Sequence, residues 1–286
     1  MANLKNIRSQ IKSVTSIQKV TKAMKMVAAA KLRKSQDNME KARPYSDRIK
    51  SLIADLINDV DRSLLPLLHQ PAITTKTGFV IITADRGLAG SFNTHIIKKA
   101  ELEIDKIGKE NSILLCVGKK GYEHFFKRNY SIINHYKDFW MNLDYNQAIQ
   151  IGNDVSDAFI NQNICAIHVI YNYFKNVGSQ EVIFNQLLPM TFNDETSQLK
   201  KDIIYEPSKN EIVTSLVPKY FNTQIWQYLL ESFASEQAAR MMAMENATEN
   251  AKDMINELNL EFNKARQSAI TTEMLEIVGG AEALSN

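Results

Sequence analysis

The chain has 286 residues, a formal net charge of +2, 44% hydrophobic residues and 23% charged residues. That composition folds, and the length allows one or two domains. No run of 18 apolar residues occurs, which excludes a membrane-spanning helix. Ten glycines and six prolines are roughly half the usual share, so long unbroken elements are expected. Cys116 and Cys165 both sit in apolar runs. They read as two buried reduced thiols, which fits a cytosolic compartment better than a disulfide framework.

The charge is uneven. Residues 1–65 hold 14 basic and 6 acidic groups, residues 66–208 hold 14 and 15, and residues 209–286 hold 6 and 11. A positive start and a negative end predict that the termini meet each other, or that the start meets an acidic partner.

The first 36 residues carry nine Lys or Arg and no acid, a composition shared with transit peptides. The apolar pattern argues instead for a helix. Leu4, Ile7, Ile11, Val14, Ile17, Val20, Met24 and Val27 recur at spacings of three and four, with no Gly or Pro before Pro44. Lys19, Lys22, Lys25, Lys31, Arg33 and Lys34 make that helix strongly cationic. Such a face suits nucleic acid, anionic lipid or an acidic protein surface. No aromatic residue occurs in 1–44, so a base-stacking platform and a membrane-interface anchor are both missing.

The middle alternates strand and helix. GFVIITA (78–84) reads as a strand, DRGLAGSFN (85–93) as a turn, and residues 94–107 as a helix. SILLCV (112–117) is a second strand, and GKKGYEHFFKR leads into a second turn and helix. A helix is expected over 143–162, then strands over 164–174 and 179–190 joined by a hairpin near Asn176–Gly178. This alternation predicts a small Rossmann-like α/β domain, over 75–195, with a largely parallel sheet. Gly87 and Gly90 are spaced GxxG, which is neither a dinucleotide fingerprint nor a phosphate-binding P-loop. The reading is a tight strand-to-helix turn.

The 60 residues between Pro218 and Gly279 contain no Gly or Pro. Trp226, Leu230, Ala234, Ala238, Met241, Met244, Ala247, Ala251, Met254, Leu258, Phe262 and Ala265 recur every three or four. Such a helix needs a long partner, so residues 209–286 are expected to pair antiparallel with residues 1–60. Glu245, Glu249, Asp253, Glu257 and Glu261 form an acidic ladder expected to face the basic helix. The five histidines (His69, His95, His124, His135 and His168) are scattered singly, and no nucleophile, acid/base or metal-ligand pattern stands out. By residue chemistry the chain reads as non-catalytic, with no cofactor.

IRSQIKSVTSIQKVTKAMKMVAAAKLRKSQ (7–36), TADRGLAGSFN (83–93), ASEQAARMMAMENATENA (234–251) and FNKARQSAITTEMLEIVGGAEAL (262–284) resemble the γ subunit family of F-type ATP synthases. Ile270, Thr271, Glu273, Glu276, Gly280, Ala281 and Ala283 fit the family's C-terminal pattern. Ala89 stands where the family turn usually has cysteine. The likeness covers essentially the whole chain and implies a rotating central stalk. Its partners would be the α and β subunits, the ε subunit and the c-subunit ring, with no nucleic acid and only indirect membrane contact. The expected place is the cytoplasmic face of a bacterial inner membrane, with the matrix side of the mitochondrial inner membrane as the alternative. The resemblance assigns head contacts to Met24, Lys25, Lys31, Arg33, Arg266, Gln267 and Thr271. It assigns a bearing tip to Ile270, Met274, Leu275, Ile277 and Val278, and a foot on the c ring and ε to Tyr205 and Glu206. Two other readings of the residues stand beside it: a nucleotide-binding α/β enzyme with a coiled-coil dimerisation arm, and a basic helical protein on nucleic acid or lipid.

Overall fold

The computed structural model describes residues 4–61, 64–69, 76–162, 164–192 and 205–285. The chain order is α1 (Leu4–Leu56), β1 (Lys76–Ile82), α2 (Phe92–Ile107), β2 (Ser112–Val117), α3 (Lys119–Lys127), β3 (Ile132–Tyr136), α4 (Tyr145–Asn161), β4 (Ile164–Asn176), β5 (Ser179–Leu188) and α5 (Lys209–Ser285). Two compact units result, residues 1–27 with 241–286 and residues 28–240.

In the first unit the starting turns of α1 pack on the middle of α5, over residues 241–265. The Thr21 and Thr248 hydroxyls are 2.8 Å apart, and the Lys25 ammonium donates to Glu245 at 2.5 Å. Rising numbers on one helix meet falling numbers on the other, so the pair is antiparallel. Leu4, Ile7, Ile11, Val14, Gln18, Thr21 and Lys25 are covered, at alternating spacings of three and four, with Thr15 and Met24 half-buried beside them. That is a heptad seam. Across it lie Met241, Met244, Thr248, Ala251, Ile255, Leu258, Phe262 and Ala265.

Two sequence expectations shift by one position here. The apolar series through Ile17, Val20 and Val27 leaves the seam after Val14, and these residues are 54%, 57% and 56% exposed. A strict 3-4 alternation keeps facing one partner, whereas the expected series contains three consecutive steps of three, from Ile11 to Val20, and rotates away. Polar Gln18, Thr21 and Lys25 take the seam instead. On α5, Met254 points outward and Ile255 is covered. The acidic ladder is corrected as well. Glu245 reaches Lys25 and Glu249 shares a cleft with Lys19, Lys22 and Lys25, but Asp253, Glu257 and Glu261 are exposed.

The second unit holds the α/β fold. Its sheet order is β3-β2-β1-β4-β5, parallel except for the antiparallel β4–β5 hairpin. β1 and β2 are buried along nearly their whole length because both faces are covered. On one face Phe79, Ile81, Leu114 and Cys116 pack against α2 and α3 through Phe92, Ile96 and Phe125. On the other, Val80, Leu115 and Val117 pack against α4, the end of α1 (Ile49, Ile53, Leu56) and the start of α5 (Val213, Phe221, Leu229). Leu32 of α1 clusters with Ala234 and Ala238 of α5, and the Ser35 hydroxyl donates to the Leu230 carbonyl at 3.0 Å. Small side chains let the two helices approach closely at this point.

Two further findings differ from the sequence reading. β3 was not expected, because SIINHY is short and forms the sheet edge, with no apolar run or clean alternation. Pro44 and Pro218 lie inside α1 and α5, as the expected helical spans 1–60 and 209–286 imply. Each removes one hydrogen bond, to Glu40 and Thr214, and both of those residues are exposed so water can satisfy the carbonyl. Cys116 is buried, its thiol pushed up to about 12 by burial. Cys165 is only half-buried, its Sγ donating to the Lys76 carbonyl at 3.1 Å, so the expectation of two buried thiols holds for one.

The seam phase makes opposite demands on two isoleucines. Ile7→Ala, at a site 2% exposed, is expected to cost about 2–4 kcal/mol in urea unfolding, and Ile17→Ala less than about 0.5 kcal/mol. A buried carboxyl gives a pH test. Glu231 is 8% exposed, one of its oxygens has no partner, and desolvation raises its pKa against the lowering effect of the Tyr171 hydroxyl. A raised folded-state pKa means that the unfolded chain ionises first, so stability falls as pH rises towards the folded value. Glu231→Gln should therefore raise the melting temperature at pH 8, with the advantage shrinking as pH falls below the ordinary carboxylate range.

Candidate interaction surfaces

The turn after β1 is where an α/β sheet of this type would hold a phosphate. Here its polar groups are spoken for within the chain. The Asp85 carboxylate accepts from the backbone N–H of Lys119 at 2.8 Å and of Asp138 at 2.9 Å, tying together the ends of the three neighbouring strands β1, β2 and β3. The Asn93 side chain accepts from Ala84 N–H at 2.9 Å. Leu88 and Gly90 both take positive φ, 61° and 56°, to reverse the chain between strand and helix. Gly118 must lack a side chain, since a Cβ there would lie 2.0 Å from the Thr83 carbonyl oxygen. Ala89, the position that departs from the family pattern, is buried.

Arg240 of α5 fastens this turn. Its guanidinium donates to the Glu236 carboxylate at 2.5 Å, one helical turn earlier, and to the Gly87 carbonyl at 3.1 Å. Glu236 is buried, and its burial raises the carboxyl pKa while Arg240 and Lys31 oppose the rise. This latch was absent from the sequence reading. Its signal was the E-x-x-x-R spacing in ASEQAAR, a charged (i, i+4) pair set among small residues on a helix.

The sequence-derived contact residues fall into separate groups. Met24 and Lys25 are half-buried on α1 in the first unit, Lys25 being bound to Glu245. Lys31 is half-buried and Arg33 exposed, both in the second unit. On α5, Arg266, Gln267 and Thr271 are exposed within little more than one helical turn, and the Thr271 hydroxyl donates to the Gln267 backbone carbonyl at 2.9 Å.

Ile270, Met274, Leu275, Ile277 and Val278 are 49–68% exposed. The register explains why. Thr21 lies opposite Thr248, so Leu4 lies opposite about residue 265, and α5 runs on for roughly 30 Å at 1.5 Å per residue. Ala265 is the last half-covered residue, and 266–281 are all exposed. Ordinary packing against α1 therefore does not account for this apolar tip. Tyr205 is half-buried beneath Lys209, whose Nζ sits 5.5 Å from the ring centroid and 2.5 Å from Asp59, while Glu206 is exposed. Residues 193–204, just before them, lie outside the described set.

Among the described residues no group of three or more His, Cys, Asp or Glu could hold a metal, and no helix is long and apolar enough to cross a membrane. The Asp85 bridge is testable by itself. Asp85→Ala removes two charge-assisted bonds at a half-buried carboxylate and should cost about 1–3 kcal/mol in unfolding free energy, measured by denaturant titration, with helix content preserved.

A family model described as ATP synthase matches residues 3–284. Relatives include the ATP synthase gamma chain of Prosthecochloris aestuarii, 47% identical with 99% of each chain covered. That of Chlorobium luteolum is 46% identical with 100% of each covered. Among solved structures, a chain of the Tetrahymena thermophila mitochondrial ATP synthase central stalk and c-ring is 27% identical with a TM-score of 0.62, covering 80% of this chain and 99% of that one. A chain of the Euglena gracilis mitochondrial ATP synthase has a TM-score of 0.69 at 18% identity, over 98% and 94%, and shares the fold. End-to-end agreement at this level, joined to the antiparallel helix pair and the α/β sheet, means that the chain belongs to the ATP synthase gamma chain family.

Proposed function

We propose that the chain is the central-stalk rotor of a proton-translocating F-type ATP synthase. In this role it turns with a ring of c subunits and drives conformational cycling of catalytic β subunits for ATP synthesis or hydrolysis, itself a non-catalytic subunit. The observation that supports this most is the overhang of α5. An apolar helix end stripped of its partner is unfavourable in water unless another surface receives it. In the rotor reading an apolar sleeve in the αβ head receives Ile270, Met274, Leu275, Ile277 and Val278. Apolar contacts are non-directional, so they permit sliding.

Below the tip, Arg266 offers a bidentate donor to a carboxylate and Gln267 and Thr271 add neutral hydrogen bonds. Lys25, Lys31 and Arg33, with the other cations of α1, present exchangeable charge to acidic loops of the β subunits. Exposed pairs of about 1 kcal/mol or less hold no single angle too firmly. Tyr205 and Glu206 belong to the foot that meets ε and the c ring. The division of the chain into terminal helices (1–60 and 209–286) and a central domain (75–195) separates head-facing from ring-facing work. The working place is the cytoplasmic face of a bacterial inner membrane, held peripherally through the ring.

Reconstitution of the purified chain with α and β subunits tests the role. Restored ATPase activity is the expected result, and a hexamer that ignores the chain would remove the reading. Met24 is neutral beside this charged track. Met24→Lys should leave assembly intact and lower the yield of ATP per proton translocated by severalfold, through one extra strong ion pair.

A further inference from the structure

The buried face of α2 carries one group that packing does not ask for. Phe92, Ile96, Ala100 and Ile104 line it with apolar side chains, and Glu103, 7% exposed, stands among them. Its two carboxylate oxygens are already taken from its own helix, each by an ammonium at 2.8 Å, Lys99 one turn before and Lys106 one turn after. On the sheet under this helix, His168 of β4 lies in an aromatic stack. Its ring centroid is 4.6 Å from that of Phe184 on β5, with 14° between the planes, and 6.1 Å from that of Phe79 on β1. The Lys99 ammonium stands 5.9 Å from the centroid of the Phe184 ring. His168 Nδ1 is buried and has no hydrogen-bond partner.

A neutral imidazole fits that place. With its one proton on Nε2 it leaves only a lone pair unanswered at Nδ1, and its flat ring stacks on the phenyl groups. An imidazolium does not fit, because it needs an acceptor for a second N–H and holds its charge away from water. Among the described residues, the charged groups at this stack are Glu103, Lys99 and Lys106, all from α2. β1 and β5 offer Phe79 and Phe184, and the neighbours two positions along β4 are Ala166 and Ile170. Glu103 attracts a charged ring, but two lysines already answer its carboxylate, and Lys99 repels the ring. Burial lowers the His168 pKa, with Glu103 opposing. We propose that His168 is a pH-sensitive pin between α2 and the β4–β5 hairpin. Neutral, it completes the stack under the helix. Protonated, it leaves the stack, and α2 loosens from β4 and β5. The direction follows from linkage. The unfolded chain takes up the proton near the ordinary histidine value, about 6.5, and the folded chain only at lower pH. Stability is therefore whole above about 6.5 and falls as pH drops from there towards the folded value. α2 starts at Phe92, directly after the turn that Arg240 fastens to α5, so the loosening reaches the join between sheet and long helix.

The test follows the full chain from about pH 8 to about pH 5.5, as wild type, His168→Phe, His168→Gln and Glu103→Gln. The melting temperature of wild type should fall relative to both His168 variants once pH passes below about 6.5, with a constant offset above it. Glu103→Gln should fall more steeply than wild type, since it removes the attraction that favours the charged ring. At one acid pH, amide hydrogen exchange in α2 and β5 should be faster in wild type than in His168→Phe, with no difference confined to those elements at about pH 8. The His168 ring resonance of wild type should titrate with a midpoint below about 6.5, a reading that needs no variant. A fall with pH shared equally by wild type and both His168 variants overturns the proposal. So does a ring midpoint at or above about 6.5, or acid-enhanced exchange spread evenly over the chain.

Discussion

The antiparallel seam between the first and last helices is the constraint from which the other features follow. A helix of 77 residues cannot fold its apolar stripe back on itself, and it is stable because α1 covers that stripe in a 3-4 rhythm. The register set by Thr21–Thr248 and Lys25–Glu245 decides which side chains are inside. It also decides where α1 runs out, and so how much of α5 projects alone. The exposed tip is a consequence of that register.

Much of this was legible in the residues. The absence of Gly and Pro over 60 positions, the three-and-four spacing and the opposed charges of the two ends required a helix pair. The runs GFVIITA and SILLCV required a buried parallel sheet. The seam phase was not legible after Val14, because hydrophobic periodicity follows apolar residues wherever they stand, and here Ile17, Val20 and Val27 stand off the seam. β3 escaped because edge strands lack both the apolar run and the clean alternation. The contact assignments at Met24, Arg266, Gln267 and Thr271 came from family resemblance. The sequence chemistry alone left a cationic helix with three classes of partner open.

The α/β domain has the topology of a nucleotide-binding fold, yet the strand ends where a phosphate would sit are bridged by Asp85, and the turn is latched by Arg240 to the long helix. The same turn chemistry that elsewhere cradles a ligand here joins sheet to helix. Removing either Glu236 or Arg240 would strand the other in a low-dielectric site, so the pair holds the junction together.

The account therefore places function in the outer surface of a helix pair, with no reactive group. Its most direct test is to immobilise the αβ hexamer, attach a visible probe to the α/β domain of this chain, and watch under ATP. Sustained rotation of the probe in one direction, halting when ATP is withdrawn, is the expected result. Continued ATP hydrolysis beneath a stationary or randomly diffusing probe would contradict it.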